Sequence, residues 1–366
     1  MVGGQRLSTG TRIIRSVDGF AELERPWNEL ADRTGNPLLR HEWFASCAET
    51  LVAPGSLAIV IAMRDGQLVG AAPLATQIES VGARLEFLGV RALYEPCEFL
   101  FSDAAARDDL CEAIAAQRQP VVLRRAPADP ELVRVLRRMV PWPGQVVTRT
   151  ESRSLFVPIH GSWTEYARGL SSHLSGNLRR LRNKLGREGT VSVDVLSPSE
   201  AEADSCLEMF MEVEDSGWKA DAGGSLRRRP PLHAFFRAYT RRAARAGLLR
   251  VAFLRAGARV VAAEVAIEAY RRWWQLKIGY LHEMAGHYPG LQLCEATIRH
   301  AFERGLESYE FLGVAANWER RWGAQERTHQ TVLVYPGAWS GARAAAVDGF
   351  RLAMGLTRRV ADWRTG

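Results

Sequence analysis

The sequence predicts a mixed α/β protein built from two related domains. Three observations carry that expectation. The chain has 366 residues, beyond the size at which a single core usually stops growing. Apolar runs of strand length alternate with amphipathic segments of helical period. A similar order of strands and helices recurs on either side of "PIHGSW", residues 158–163, where proline and glycine punctuate the pattern. The expected domains are 1–158 and 159–337, followed over 338–366 by an amphipathic helix that turns Phe350, Met354 and Trp363 toward the protein.

Taken in order, the first half opens with a strand at "RIIRSV", a helix from Phe20 to Ala31 and a second from His41 to Leu51. "LAIVIAMRDGQLVGAAPLATQI" reads as a hairpin about Asp65-Gly66, since an Asp-Gly pair supplies the left-handed conformations of a tight turn. "RLEFLGV" is a strand, Asp103–Ala116 a helix, "PVVLRRA" a strand and Pro130–Met139 a helix, with strands from Gln145 to Ile159. The second half begins with a helical region around "SGNLRRLRNKLGREG" and the strand "TVSVDVL". Helices follow at Glu200–Asp215 and Pro231–Ala246, then strands across 248–281, a helix after Pro289, and the strands "YEFLGV" and "TVLVYP".

Hydrophobic residues make up 47% and charged ones 24%, which fits an ordinary globular protein and gives no reason to invoke disorder. The longest apolar runs are too short to cross a bilayer, and no signal-peptide pattern opens the chain, so the expected location is the cytoplasm. Cys47, Cys97, Cys111, Cys206 and Cys294 are scattered without zinc spacing, so reduced core cysteines and no metal are expected. The net charge of +7 comes mainly from arginine and suits phosphate-bearing partners such as coenzyme A or RNA. Oligomeric state is not legible.

The stretch "LKIGYLHEMAGHYPGLQLCEATIRHAFERG", 276–305, runs from a strand through a glycine loop into a helix. A helix start carries unpaired N–H groups and partial positive charge, so such a loop is a natural seat for phosphate; connections of this kind also arise for the backbone alone. Pro289 suits the first helical position. His282, Glu283 and His287 do not make the H-E-x-x-H zinc pattern, because the histidines are five apart and fall on different helix faces. No G-x-x-x-x-G-K-[ST] loop and no G-x-S-x-G elbow occurs, which removes the main support for kinase and serine hydrolase readings.

The segment "LKIGYLHEMAGHYPG" resembles the bacterial CelD/BcsL-type acetyltransferases, with Lys277, Tyr280, Pro289 and Gly290 in register. "NLRRLRNKLGREG", "DSGWKADAGGSL" and "YEFLGVAANWERRWG" agree in order and spacing, so the resemblance spans about residues 160–335; "PLLRHEWFASC" is similar in a looser way. It implies a tandem GCN5-related N-acetyltransferase (GNAT) fold, related to Fem-type enzymes, and direct transfer of an acyl, most simply acetyl, group from acyl-CoA to an amine of a small-molecule or cell-envelope-related acceptor. It also implies that the diphosphate lies on the loop at Gly286, His287, Tyr288, Gly290 and Leu291. Departures are visible: the acyl-CoA signature [QR]-x-x-G-x-[GA] is missing, Leu281 and His282 replace acidic residues, and Glu319 stands where lysine is common. An aminoacyl-tRNA donor, with Arg179, Arg180, Arg182, Lys184 and Arg187 on its backbone, is the alternative; a non-catalytic binding protein on the same fold is the third.

For the chemistry, Glu264 in the apolar strand "VVAAEVAIEAY" would have its pKa raised by burial and would take the amine proton, unless it faces solvent or pairs with an arginine. Tyr280 would donate to the departing thiolate. Trp218 and Lys219 would form part of the acceptor pocket, with Trp318, Arg321 and Trp322 closing it and Lys277 nearby. Lys277 and Tyr280, three apart on a strand, face opposite ways unless a bulge intervenes.

Overall fold

The computed structural model describes residues 9–79, 82–216 and 225–350. The chain order is β1 (Thr9–Ile14), α1 (Val17–Ala21), α2 (Glu24–Ala31), α3 (His41–Thr50), β2 (Ile59–Arg64), β3 (Gln67–Ala72), β4 (Leu74–Glu79), β5 (Gly82–Phe87), α4 (Val90–Leu93), β6 (Leu100–Phe101), α5 (Ala104–Ala116), β7 (Val121–Pro127), α6 (Pro130–Met139), β8 (Gln145–Thr150), β9 (Ser154–Pro158), α7 (Trp163–Gly169) and α8 (Ser172–Leu185). Then come β10 (Val191–Leu196), α9 (Glu200–Asp215), α10 (Pro230–Arg245), β11 (Leu249–Ala256), β12 (Arg259–Ala269), β13 (Arg272–Tyr280), α11 (Pro289–Glu303), β14 (Ser308–Leu312), α12 (Asn317–Arg320), β15 (Gln325–Arg327), β16 (His329–Tyr335) and α13 (339–350).

Two compact units result. The first takes the chain up to Thr34, Val52–Glu151 and the residues from His329 on; the second takes Gly35–Leu51 and Ser152–Thr328.

The first unit holds a four-stranded sheet, β1-β2-β3-β6, and a five-stranded sheet, β4-β5-β7-β16-β8. Asp65 and Gly66 turn the β2–β3 hairpin with φ of 51° and 78°, the paired left-handed residues that a two-residue turn requires. The helix expected across Phe20–Ala31 is two helices. Pro26 sits in the first turn of α2, and its ring displaces the carbonyl four residues back, so the helix restarts at Glu24. In α13, Phe350 is 66% exposed rather than turned inward. Asp348 anchors that helix by accepting from Arg84 and from the Tyr335 hydroxyl, which points Ala344 and Asp348 inward and rotates Phe350 away. Met354 and Trp363 lie outside the described residues.

The second unit has a seven-stranded sheet, β10-β11-β12-β13-β14-β9-β15, antiparallel except where β13 meets β14. β13 carries a bulge at Leu276, since Val265 faces Lys277 while Ala266 faces Gln275. A Cβ on Gly279 would come 3.0 Å from Glu214 of α9, so Lys277 and Gly279 look toward α9 and α10. Ile278 and Tyr280 look the opposite way, toward α11. That second face covers a core of Leu174, Leu178, Cys294, Ile298, Trp273 and Tyr309. α3 packs on α10, with Trp43 edge-on to Phe235 and Tyr239 at 5.0 and 4.9 Å. In both units a strand leads through a helix to a parallel neighbour, β5–α5–β7 and β13–α11–β14, which is the repetition the sequence order suggested.

Candidate active site

The site begins where two strands part. β13 and β14 pair only at Arg272–Trp274 with Ser308–Glu310. Beyond Trp274, β13 turns within two residues through its bulge, and β14 ends at Leu312 in the left-handed region, φ 58°. A cleft of about 530 Å³ opens beside the free edge, lined by Ile278, Tyr280, Ala285, Tyr288, Gly290, Leu291 and Trp318. Its walls are largely apolar, and α11 opens at its rim.

The loop between β13 and α11 is a 3-10 turn, His282–His287, followed by Tyr288 at φ 48° and then Pro289 at the first helical position. A non-glycine residue held there costs about 1 kcal/mol or more, and such strain gathers at functional sites. Gln292 donates to the His287 carbonyl at 2.8 Å and braces the loop. Space is tight at Gly290: a Cβ would lie 3.3 Å from Tyr280 Cδ1, which would have to shift by a few tenths of an ångström. The expectation that every amide from Gly286 to Leu291 faces a ligand is narrowed, because Tyr288 N–H donates to the Ala285 carbonyl and Leu291 N–H to the Tyr288 carbonyl. Gly290 N–H meets no protein acceptor among the described residues. Gly286 is the contact with α8, its carbonyl accepting from Lys184 Nζ at 3.0 Å. His287 Nε2 stands 3.4 Å from Glu188, and Glu283 is held by Arg259 at the exposed rim, which keeps its charge engaged.

Glu264 is fully buried on β12, directly opposite Ile278 of β13. Its carboxylate accepts from Trp273 Nε1 at 2.7 Å, Gln275 Nε2 at 2.9 Å, and the hydroxyls of Thr297 and Tyr309 at 3.2 Å. It therefore neither faces solvent nor pairs with an arginine. Burial pushes its pKa up to about 7 against the pull of those donors. It lies beneath the cleft floor and is not among the residues that line the cleft.

Of the other expected site residues, Tyr280 and Trp318 meet in the cleft with Tyr288, Gly290 and Leu291. Lys277 does not join them. The bulge precedes it, so it keeps the face opposite Tyr280, with its ammonium 5.7 Å from the centre of the Phe236 ring. Arg321 is exposed and off the lining, and Trp322 is a buried core residue. Trp218 and Lys219 lie outside the described residues. Glu319, beside Trp318, is buried and caps α12 through Ala316 N–H; burial raises its pKa to about 7. Ile278 lies in the strand "WWQLKIGYL" and Ala285 opens the loop 285–291, the strand and loop that the resemblance implies for the donor, though neither residue was singled out by itself.

The cleft fits an acyl-CoA donor in three respects: apolar walls for a narrow arm, an unpaired strand edge, and a free N–H at a helix start on glycine. No cluster of histidine, cysteine and acidic side chains able to hold a metal occurs among the described residues.

Residues 172–320 match the family model of the acetyltransferase (GNAT) domain. No curated protein matches the sequence. Among solved structures, the C-terminal DUF2156 domain of a putative lysylphosphatidylglycerol synthetase from Agrobacterium fabrum is 12% identical, over 91% of this chain and 97% of that one, with a TM-score of 0.55. FemX is 11% identical over 88% and 96%, with a TM-score of 0.56. The L-PGS of Bacillus licheniformis is 10% identical over 92% and 95%, with a TM-score of 0.52. At such identities the likeness is one of fold. Residues 172–320 thus match a GNAT acetyltransferase-type domain, within a mixed α/β chain of two compact units.

Proposed function

We propose that the protein is an N-acyltransferase that moves an acyl group, in the simplest case acetyl, from acyl-CoA directly to the amine of a small-molecule or cell-envelope-related acceptor. The parting of β13 from β14 beside the glycine helix start carries the reading. The four CelD/BcsL-type sequence blocks support it.

A bound thioester supplies the electrophilic carbonyl and the thiolate that leaves. The chain's residues do the rest. The unpaired edge of β13 offers backbone groups to a polar arm, while Ile278, Leu291 and Trp318 exclude water from it. Gly290 N–H, at the positive end of α11, holds an anionic oxygen. The Tyr280 hydroxyl, on the cleft wall, gives its proton to the thiolate, and the proton released by the attacking amine passes through solvent to restore the hydroxyl. Glu264 acts as a positioning residue: its four donors fix β12, β13, β14 and α11 around the cleft floor.

An aminoacyl-tRNA donor would need a long basic track, and the basic face of α8 is short, as described below. Calorimetric titration with acetyl-CoA tests the donor. Saturable binding that Gly290→Val weakens at least about tenfold supports the reading; absence of binding by the folded wild-type protein rejects it. Thiol release with a panel of amines then identifies the acceptor.

A further inference from the structure

One face of α8 is used by nothing in the reaction described above. Leu174, Leu178, Leu181 and Leu185 bury one side of this helix. The other side forms a shallow groove of about 590 Å³ lined by Gly176, Arg179, Arg180, Asn183, Lys184 and Arg187, spaced as a single helical stripe. Several arginines on other helices are matched to acids: Arg237 and Arg241 share Asp204, Arg245 meets Glu200, Arg134 meets Glu131 and Arg299 meets Glu303. Arg182, on the flank of α8 itself, is taken by Glu295. Among the described residues no carboxylate lies within ion-pair distance of Arg179, Arg180, Lys184 or Arg187. Like charges three and four apart on a helix destabilise it, so this stripe stands against local stability and an anion would relieve it.

The stripe also has an address. Lys184 Nζ donates to the Gly286 carbonyl at 3.0 Å, which ties the groove to the loop at the cleft mouth. A diphosphate held at Gly290 would therefore have Lys184 of the stripe against its own loop. Arg179 to Lys184 spans roughly 7.5 Å of helix axis at 1.5 Å per residue, and Arg187 follows in the turn just past the helix end. That length suits one compact phosphate group rather than the many phosphate contacts along an RNA backbone.

Resting on the acyl-CoA reading, we propose that Arg179, Arg180, Lys184 and Arg187 form a phosphomonoester site for the ribose 3′-phosphate of the donor. The site takes part in donor selection and not in acyl transfer itself. Arginine and lysine give charge-assisted hydrogen bonds to a phosphate dianion, strongest where no acid competes.

The test compares CoA with dephospho-CoA, which lacks only that phosphate, by calorimetry on the full chain and on the triple variant Arg179→Gln, Arg180→Gln, Arg187→Gln. All three side chains are exposed, and an unchanged melting temperature verifies that the variant folds. The wild-type protein is expected to bind CoA roughly 10- to 100-fold more tightly than dephospho-CoA. The triple variant should bind both alike, at the wild-type affinity for dephospho-CoA. Equal wild-type affinities would overturn the phosphate site while leaving the acyl-CoA reading intact. Equal weakening of both ligands by the triple variant would also overturn it, by showing a general field effect. Failure of both ligands to bind, with salt-steep binding of total tRNA instead, would overturn the site and the reading together.

Discussion

Glu264 and Ile278 stand directly opposite each other on β12 and β13, yet Ile278 meets the cleft while Glu264 is sealed beneath it. A carboxyl with its pKa raised to about 7, from an ordinary 4.5, binds its proton more tightly in the folded state than in the unfolded one. Between those values folding takes up protons, so this group lowers stability as pH rises from about 4.5 to about 7 and adds no further change above that. The loss is about 1–3 kcal/mol. Glu264→Gln should flatten this part of the profile, measured as urea midpoints between pH 5 and 8. Glu264→Leu should cost about 2–4 kcal/mol by stranding the Trp273 and Gln275 donors. An unchanged pH profile in Glu264→Gln would show that the carboxyl is not the titrating group.

Gly290→Val places a branched Cβ against the Tyr280 ring and fills the mouth of the cleft. Acetyl-CoA affinity should fall at least about tenfold, a loss of about 1.4 kcal/mol, with folding largely retained. Titration beside a thermal melt separates the two effects, and full affinity in a folded variant would remove the helix start from the donor site.

Tyr288 combines a left-handed backbone with a place on the cleft wall. Tyr288→Gly should relieve the backbone strain and hold or raise stability, by up to about 1 kcal/mol, while weakening donor binding through the lost wall. Stability and affinity moving in the same direction would contradict this assignment.

Trp43→Ala should destabilise the second unit by about 3–5 kcal/mol, because it empties the contact with Phe235 and Tyr239 that seats α3 on α10. Chemical denaturation followed by tryptophan fluorescence reads this directly. A loss below about 1 kcal/mol would mean that α3 adds little to the unit.

The regular elements were the legible part of the sequence. Asp65-Gly66 gave its hairpin, and α6 and α9 fall at the expected bounds because Pro130 and Ser199 mark their starts. The Pro26 break was also written in the sequence, but amphipathic period outweighed it in the reading. What sequence could not give is long-range pairing. Nothing local in "HEWFASC" says that α3 packs on α10, and the direction of Phe350 depends on the distant anchor of Asp348 on Arg84. For the site, the glycine loop was marked by turn and helix-start chemistry, which are local, while Tyr280 and Trp318 were pointed out by the resemblance. Burial of Glu264 was one of two readings of its apolar strand, but its four donors from β13, β14 and α11 come from distant pairing and were not legible.

β16 lies between β7 and β8, and among the described residues β8 has no other strand partner. The N-terminal unit therefore waits for β16, synthesised after Ser152–Thr328, before its five-stranded sheet can close. During translation the intervening Ser152–Thr328 emerges first and has most of its own unit in hand, so the ribosome delivers the later unit's body before it completes the earlier one. A chain ending at 158 would leave β8 with a bare edge, and expression of that fragment should yield aggregation in place of a stable half-protein.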